Sequence, residues 1–158
     1  MNFFALRLTV SLFFVGTALL GSVTQASDAV ALVRYGTSYG QCLGYCTRSI
    51  DVFPDRVVFS AIAYHPTKKL PAISNETTLD KQQEEELRRL LSETSVDGLA
   101  TRIGCPDCAD GGAEWIEIRK SSGPIRVLYE KGNPPIQLRA LASWLGAMQG
   151  KFRIPPAP

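Results

Sequence analysis

The sequence predicts an α+β domain: a mainly antiparallel sheet from two hairpins, in ββα-ββα order, with two helices packed on one face. Three observations predict it. Two stretches alternate apolar and polar residues with period two and fold back on themselves. Two later stretches carry apolar residues at helical spacing. Each hairpin follows a short loop holding two of the four cysteines, Cys42 and Cys46 in the first and Cys105 and Cys108 in the second.

The chain begins outside that domain. Arg7 gives a short positive start, Leu8 to Leu20 is mostly apolar, and Thr24-Gln25-Ala26 ends on a small residue. That order reads as a secretory signal peptide over 1–26, with a retained N-terminal anchor as the competing reading. It leaves a single domain over 27–150 and a proline-rich tail over 151–158. No cysteine lies near the cleavage point, so a lipid anchor there is not indicated. The expected location is exported, periplasmic or secreted, where paired cysteines are the rule.

The whole chain carries a formal charge of +2, and loss of Arg7 lowers it by one. So small a charge gives no electrostatic footprint for nucleic acid or for an anionic membrane surface. No nucleic-acid partner is expected, and no membrane partner after signal removal.

Ala29 to Tyr35 reads as a first short strand, and Gly36 to Gly44 as a loop rich in Gly and Tyr. Thr47 to Phe53 and Arg56 to Tyr64 form the first hairpin, with Pro54-Asp55 suited to a tight turn. Val57, Phe59 and Ala61 share one face. Thr67 to Thr78 is polar and reads as an exposed connection. Asp80 to Thr94 is a helix: Asp80 and Gln83 have capping-box spacing, and Leu87, Leu90 and Leu91 form its apolar stripe. Glu84 with Arg88 and Glu85 with Arg89 have the favoured i,i+4 order. Gly98 ends this unit.

Glu114 to Lys120 sets Ile116 and Ile118 against Trp115, Glu117 and Arg119. Ser121-Ser122-Gly123 turns the chain, and Ile125, Val127 and Tyr129 share a face on the return. Asn133 is placed to cap a second helix with Pro134 at its first position. Leu138, Leu141, Leu145 and Met148 give that helix its stripe.

The motif Cys42-Leu43-Gly44-Tyr45-Cys46 ahead of a hairpin, with Gly104-Cys105-Pro106-Asp107-Cys108-Ala109-Asp110-Gly111-Gly112 entering a strand, resembles an uncharacterised family of small exported bacterial proteins. The resemblance covers roughly residues 33–148. It implies an exported domain of unknown function and carries no catalytic residue across.

Three chemistries suit the four cysteines. As structural disulfides they allow three pairings. Cross-bonds between the loops would close about 60 residues and stabilise by about 4 kcal/mol each, whereas local bonds close very short loops. As thiolates, the Cys-x3-Cys and Cys-x2-Cys pairs would complete a tetrahedral zinc site, an alternative that export disfavours. As a redox pair, Cys105-Pro106-Asp107-Cys108 lacks the usual helix N-terminus, and Asp107 and Asp110 would raise the thiol pKa.

Asp107, Asp110 and Glu114 read first as turn chemistry, and a calcium site would lack EF-hand spacing. His65 is the single histidine and sits beside Pro66 at a strand end, without triad context. The absence of a complete catalytic set leans away from an enzyme. The leading expectation is a disulfide-stapled, non-enzymatic module that binds an unknown protein or small ligand and needs no cofactor. Its candidate binding loop holds Tyr39, Tyr45, Asp107 and Asp110; the alternative is a zinc-binding or thiol–disulfide active protein.

Overall fold

The structure, a computed structural model, describes residues 31–40, 42–65 and 70–154. The expected signal peptide lies outside them. Seven strands and two helices run in the order β1 (Val33–Ser38), β2 (Thr47–Val52), β3 (Arg56–Ile62), β4 (Ile73–Thr78), α1 (Lys81–Glu93), β5 (Arg102–Ile103), β6 (Ala113–Lys120), β7 (Gly123–Glu130) and α2 (Arg139–Gly150). All seven strands join one sheet, ordered β4-β3-β2-β1-β6-β7-β5. Every pairing is antiparallel except β5 with β7.

The class is therefore a mixed fold with a mostly antiparallel sheet, but the two-hairpin ββα-ββα description is not met. β1 is the reason. It pairs with β2 on one side and β6 on the other, welding both hairpins into one sheet. Each hairpin alone would have left exposed strand edges on its inner side. The polar stretch expected as a connection also joins the sheet: Ile73–Thr78 is an edge strand against β3, and five of its six residues are exposed. An edge strand with only one packed side can be polar throughout, which hid it from a search for apolar alternation.

The register stacks the apolar residues in rows. Val57, Val52, Val33, Ile118 and Ile125 form one row; Phe59, Ile50, Tyr35, Ile116 and Val127 form the next. These rows belong to a single core with Leu87 and Leu90 of α1 and Leu138, Leu141, Leu145 and Met148 at α2. α1 starts with the expected capping box: Gln83 N–H donates to Asp80 Oδ1 at 2.8 Å, and Asp80 N–H to Gln83 Oε1 at 3.0 Å. Its surface pairs differ from those expected, since Arg89 reaches Glu86 and Glu93. Asn133 does not cap α2; a 3-10 turn over Ile136–Leu138 leads into it instead, because consecutive Pro134 and Pro135 delay the helix. Beyond α2, Phe152 stacks on Phe59 with ring centroids 4.9 Å apart.

The opposite face of the sheet is charged. Arg34 bonds Asp51 at 2.8 Å and approaches Glu117 at 3.7 Å, and Glu117 approaches Arg126 at 3.9 Å. The Arg126 guanidinium lies 3.7 Å from the centre of the Trp115 ring. That ring lies across Gly36, where any Cβ would collide with the indole.

Leu145 is fully buried where α2 meets the core. Leu145→Ala should cost about 2–5 kcal/mol. Urea unfolding checks this; a loss under about 1 kcal/mol would mean α2 is not part of the cooperative core.

Candidate functional site

Both cysteine loops are closed locally, Cys42 to Cys46 and Cys105 to Cys108, with Cα separations of 5.7 and 5.5 Å. The first loop tops the β1–β2 hairpin, where Tyr39 N–H donates to the Cys46 carbonyl at 3.1 Å. Cys46 is buried beneath it, while Leu43 at the tip is fully exposed. Exposed Tyr64 and His65 stand nearby in edge-to-face contact, beside a hollow of about 150 Å3 that includes Leu43 and Ala63.

The second loop joins β5 to β6 and is tied down by its own backbone. Asp107 N–H donates to the Gly112 carbonyl at 3.0 Å, and Gly111 N–H to the Cys108 carbonyl at 3.0 Å. The Arg102 guanidinium donates to the Pro106 carbonyl at 3.0 Å. Glu130, at the end of β7, accepts the Cys105 N–H at 2.8 Å. That bond, with a weaker one from the Asn133 amide, holds the Glu130 carboxyl below the usual range. Asp107, Ala109 and Asp110 all adopt positive φ, at 64°, 51° and 57°. Asp tolerates this conformation; for Ala109 it costs about 1–2 kcal/mol.

The two loops meet. Gly40 N–H donates to Asp107 Oδ1 at 3.1 Å, and a Cβ on Gly40 would run into that carboxylate. The Tyr39 ring packs against Gly112, whose φ of +82° also requires glycine. The Lys131 ammonium sits 5.7 Å from the centre of the same ring. Tyr39 and Asp107 are thus brought together at one end of the sheet with both disulfides. Tyr45 is not part of that group: it is half-buried against the core, and its hydroxyl donates to the Pro71 carbonyl at 2.9 Å. Asp110 is exposed and is not shown in contact with that group.

Among the described residues, no cluster of three or more His, Cys, Asp or Glu is placed to hold a metal ion. The four sulfurs are engaged in pairs, and a disulfide sulfur is not a thiolate ligand.

A second group was not assembled by the sequence reading, which took Glu114 for turn chemistry although it lies within β6. Glu114 faces the helix side of the sheet, opposite Thr37 on β1 and Tyr129 on β7. The Tyr129 hydroxyl is buried without a hydrogen-bond partner. Burial, and then the nearby Glu114 carboxylate, push the Tyr35 and Tyr129 hydroxyls far above the usual phenol range. The signal was present: Glu114 has the same parity as Ile116 and Ile118, which places a carboxylate on the apolar face.

No family model matches the chain, and no curated protein matches it.

Two outcomes test the junction. Asp107→Ala should cost about 1–2 kcal/mol and speed hydrogen exchange at the Gly40 amide, with Asp107→Asn intermediate; unchanged exchange would dissolve the link between the loops. For Glu130, a depressed folded pKa means the contact stabilises fully above the ordinary carboxylate range. It is lost as pH falls through the lower folded value. The Cys105 amide resonance should follow that titration and stop doing so in Glu130→Gln; a resonance that still titrated in the variant would remove Glu130 as the cause.

Proposed function

We propose that the chain is an exported, disulfide-stapled recognition module, without catalysis of its own, that engages a partner through the end of the sheet where both disulfide loops sit. The carrying observation is the Gly40–Asp107 hydrogen bond, which makes one continuous surface of two loops 67 residues apart in sequence. Local disulfides restrict each loop before binding, which lowers the ordering cost of association. The left-handed run at Asp107, Ala109 and Asp110 is strain of the kind that clusters at binding sites. Leu43 supplies an apolar anchor at the tip, and Tyr64 a second. Export accords with the disulfides and with the expected leader. No helix among the described residues is long and apolar enough to cross a membrane. The resemblance to small exported bacterial proteins belongs to this same reading.

The alternative, a zinc-binding or thiol-active protein, uses the same four sulfurs in reduced form. Intact mass of the exported protein, with alkylation under denaturing, non-reducing conditions and metal analysis, separates the two. A mass four protons light, with no alkylation, supports the staples; four reactive thiols with one zinc per chain replace them with a metal site. For the recognition surface, a photo-crosslinking residue at Leu43 or Asp110 should give one defined adduct in the producing cell. The same residue at Ser122, in the turn at the opposite end of β6, should give none. Equal adducts at all three positions, or none at any, would sink the proposed surface.

A further inference from the structure

A cavity of about 300 Å3 opens between the sheet and α2, lined by Tyr35 and Glu114 on the sheet side and by Arg139, Ala142 and Ser143 on the helix side. Gly132 and Pro134, in the segment after β7, and Gly146 of α2 also line it. Its size is at the lower edge of small-ligand sites, which run from about 300 to 1,000 Å3. It is distinct from the disulfide-loop surface, although Glu130 and Lys131 connect that loop directly to Gly132.

The charges in the cavity are not spent on one another. Glu114 and Arg139 form no ion pair with each other, and neither has an ion-pair partner among the described residues. Glu114 is half-buried, so its carboxylate has less water to satisfy it than a surface group. The Tyr35 and Tyr129 hydroxyls are close enough to interact with this carboxylate. Arg139 stands on the first residue of α2, where the helix end adds partial positive charge. Ala142, Pro134 and Gly146 leave small apolar walls alongside the charged groups. A carboxylate on the sheet wall, a guanidinium on the helix wall and a small apolar space complement a compact zwitterion.

We infer that this cavity binds a free α-amino acid with an aliphatic side chain such as that of leucine, its ammonium on Glu114 and its carboxylate on Arg139. The Gly146 position is consistent with a space kept open: a Cβ there would sit 3.5 Å from the Tyr35 hydroxyl, filling the wall without a clash.

The test is an NMR titration of the isotope-labelled, disulfide-intact exported protein with L-leucine. N-acetyl-L-leucine lacks the ammonium and L-leucinamide lacks the carboxylate. L-Leucine should shift the amides of Glu114, Gly132, Ser143 and Gly146 saturably, and each analogue should bind at least about tenfold more weakly, since each lacks one charge-assisted contact. Glu114→Gln should weaken L-leucine by about tenfold or more. Should that variant fold poorly, Ser143→Trp at an exposed position of α2 blocks the cavity and should abolish the shifts. Absence of saturable shifts with L-leucine, equal binding of either analogue, or shifts that survive Ser143→Trp would overturn the inference. None of these readouts depends on what the disulfide-loop surface binds.

Discussion

One-sided burial is the constraint on which the rest depends. Both helices share one apolar core with the same face of a seven-stranded sheet, so the other face must tolerate water along its whole width. The register shows how it does so. Asp51, Arg34, Glu117 and Arg126 fall in one cross-strand row and alternate in sign. Exposed pairs of this kind contribute little stability, about 0–1 kcal/mol each. Their value is that like charges never face each other across the ladder, which would be destabilising. Trp115, a large apolar group on that side, is covered from above by Arg126 and seated on Gly36.

The same sheet explains why the two disulfide loops meet. β1 occupies the centre, so the loop leaving it lies next to the loop entering β6. The disulfides do not make this junction. Each closes only a few residues, and the chain-entropy gain from so short a loop is the smallest a disulfide offers. What they do is fix local loop shape. The junction itself is a single backbone N–H to a carboxylate, backed by a glycine on each side that lets the chains approach. A long-range link built from one hydrogen bond is far easier to alter than a long-range covalent one.

Much of the fold was legible because its signals are local. The α1 capping box, the α2 stripe and the β6–β7 hairpin each follow from residues within a few positions of one another. β4 was not legible: Ser74, Asn75, Glu76 and Thr77 become a strand only because β3 offers them an edge. Nor was the central role of β1, since Gly36, Thr37 and Ser38 read as loop residues until two neighbouring strands claim their hydrogen bonds. At the site, the sequence marked Tyr39 and Asp107 through their cysteines but could not bring them together. It grouped Tyr45 with them on proximity alone, although the side chain turns toward Pro71. Local closure of both cysteine pairs was one of three open pairings, because connectivity depends on where loops end up in space.

The polar inward-facing residues are not scattered. The two apolar rows give way, toward the loop end, to a third row of Ile73, Ala61, Arg48, Thr37, Glu114 and Tyr129. There the inner face changes from aliphatic to charged and hydroxyl-bearing within one strand step. A row designed only for packing would carry apolar residues at positions 37 and 114, as Val33 and Ile118 and then Tyr35 and Ile116 do in the two rows before it. Keeping Thr37 buried and Glu114 half-buried sacrifices apolar contact worth about 1.5–3 kcal/mol per fully buried aliphatic side chain. That cost falls at the end of the sheet where the disulfide loops meet and the cavity beside α2 opens, so core packing is relaxed where the chain has polar chemistry to present.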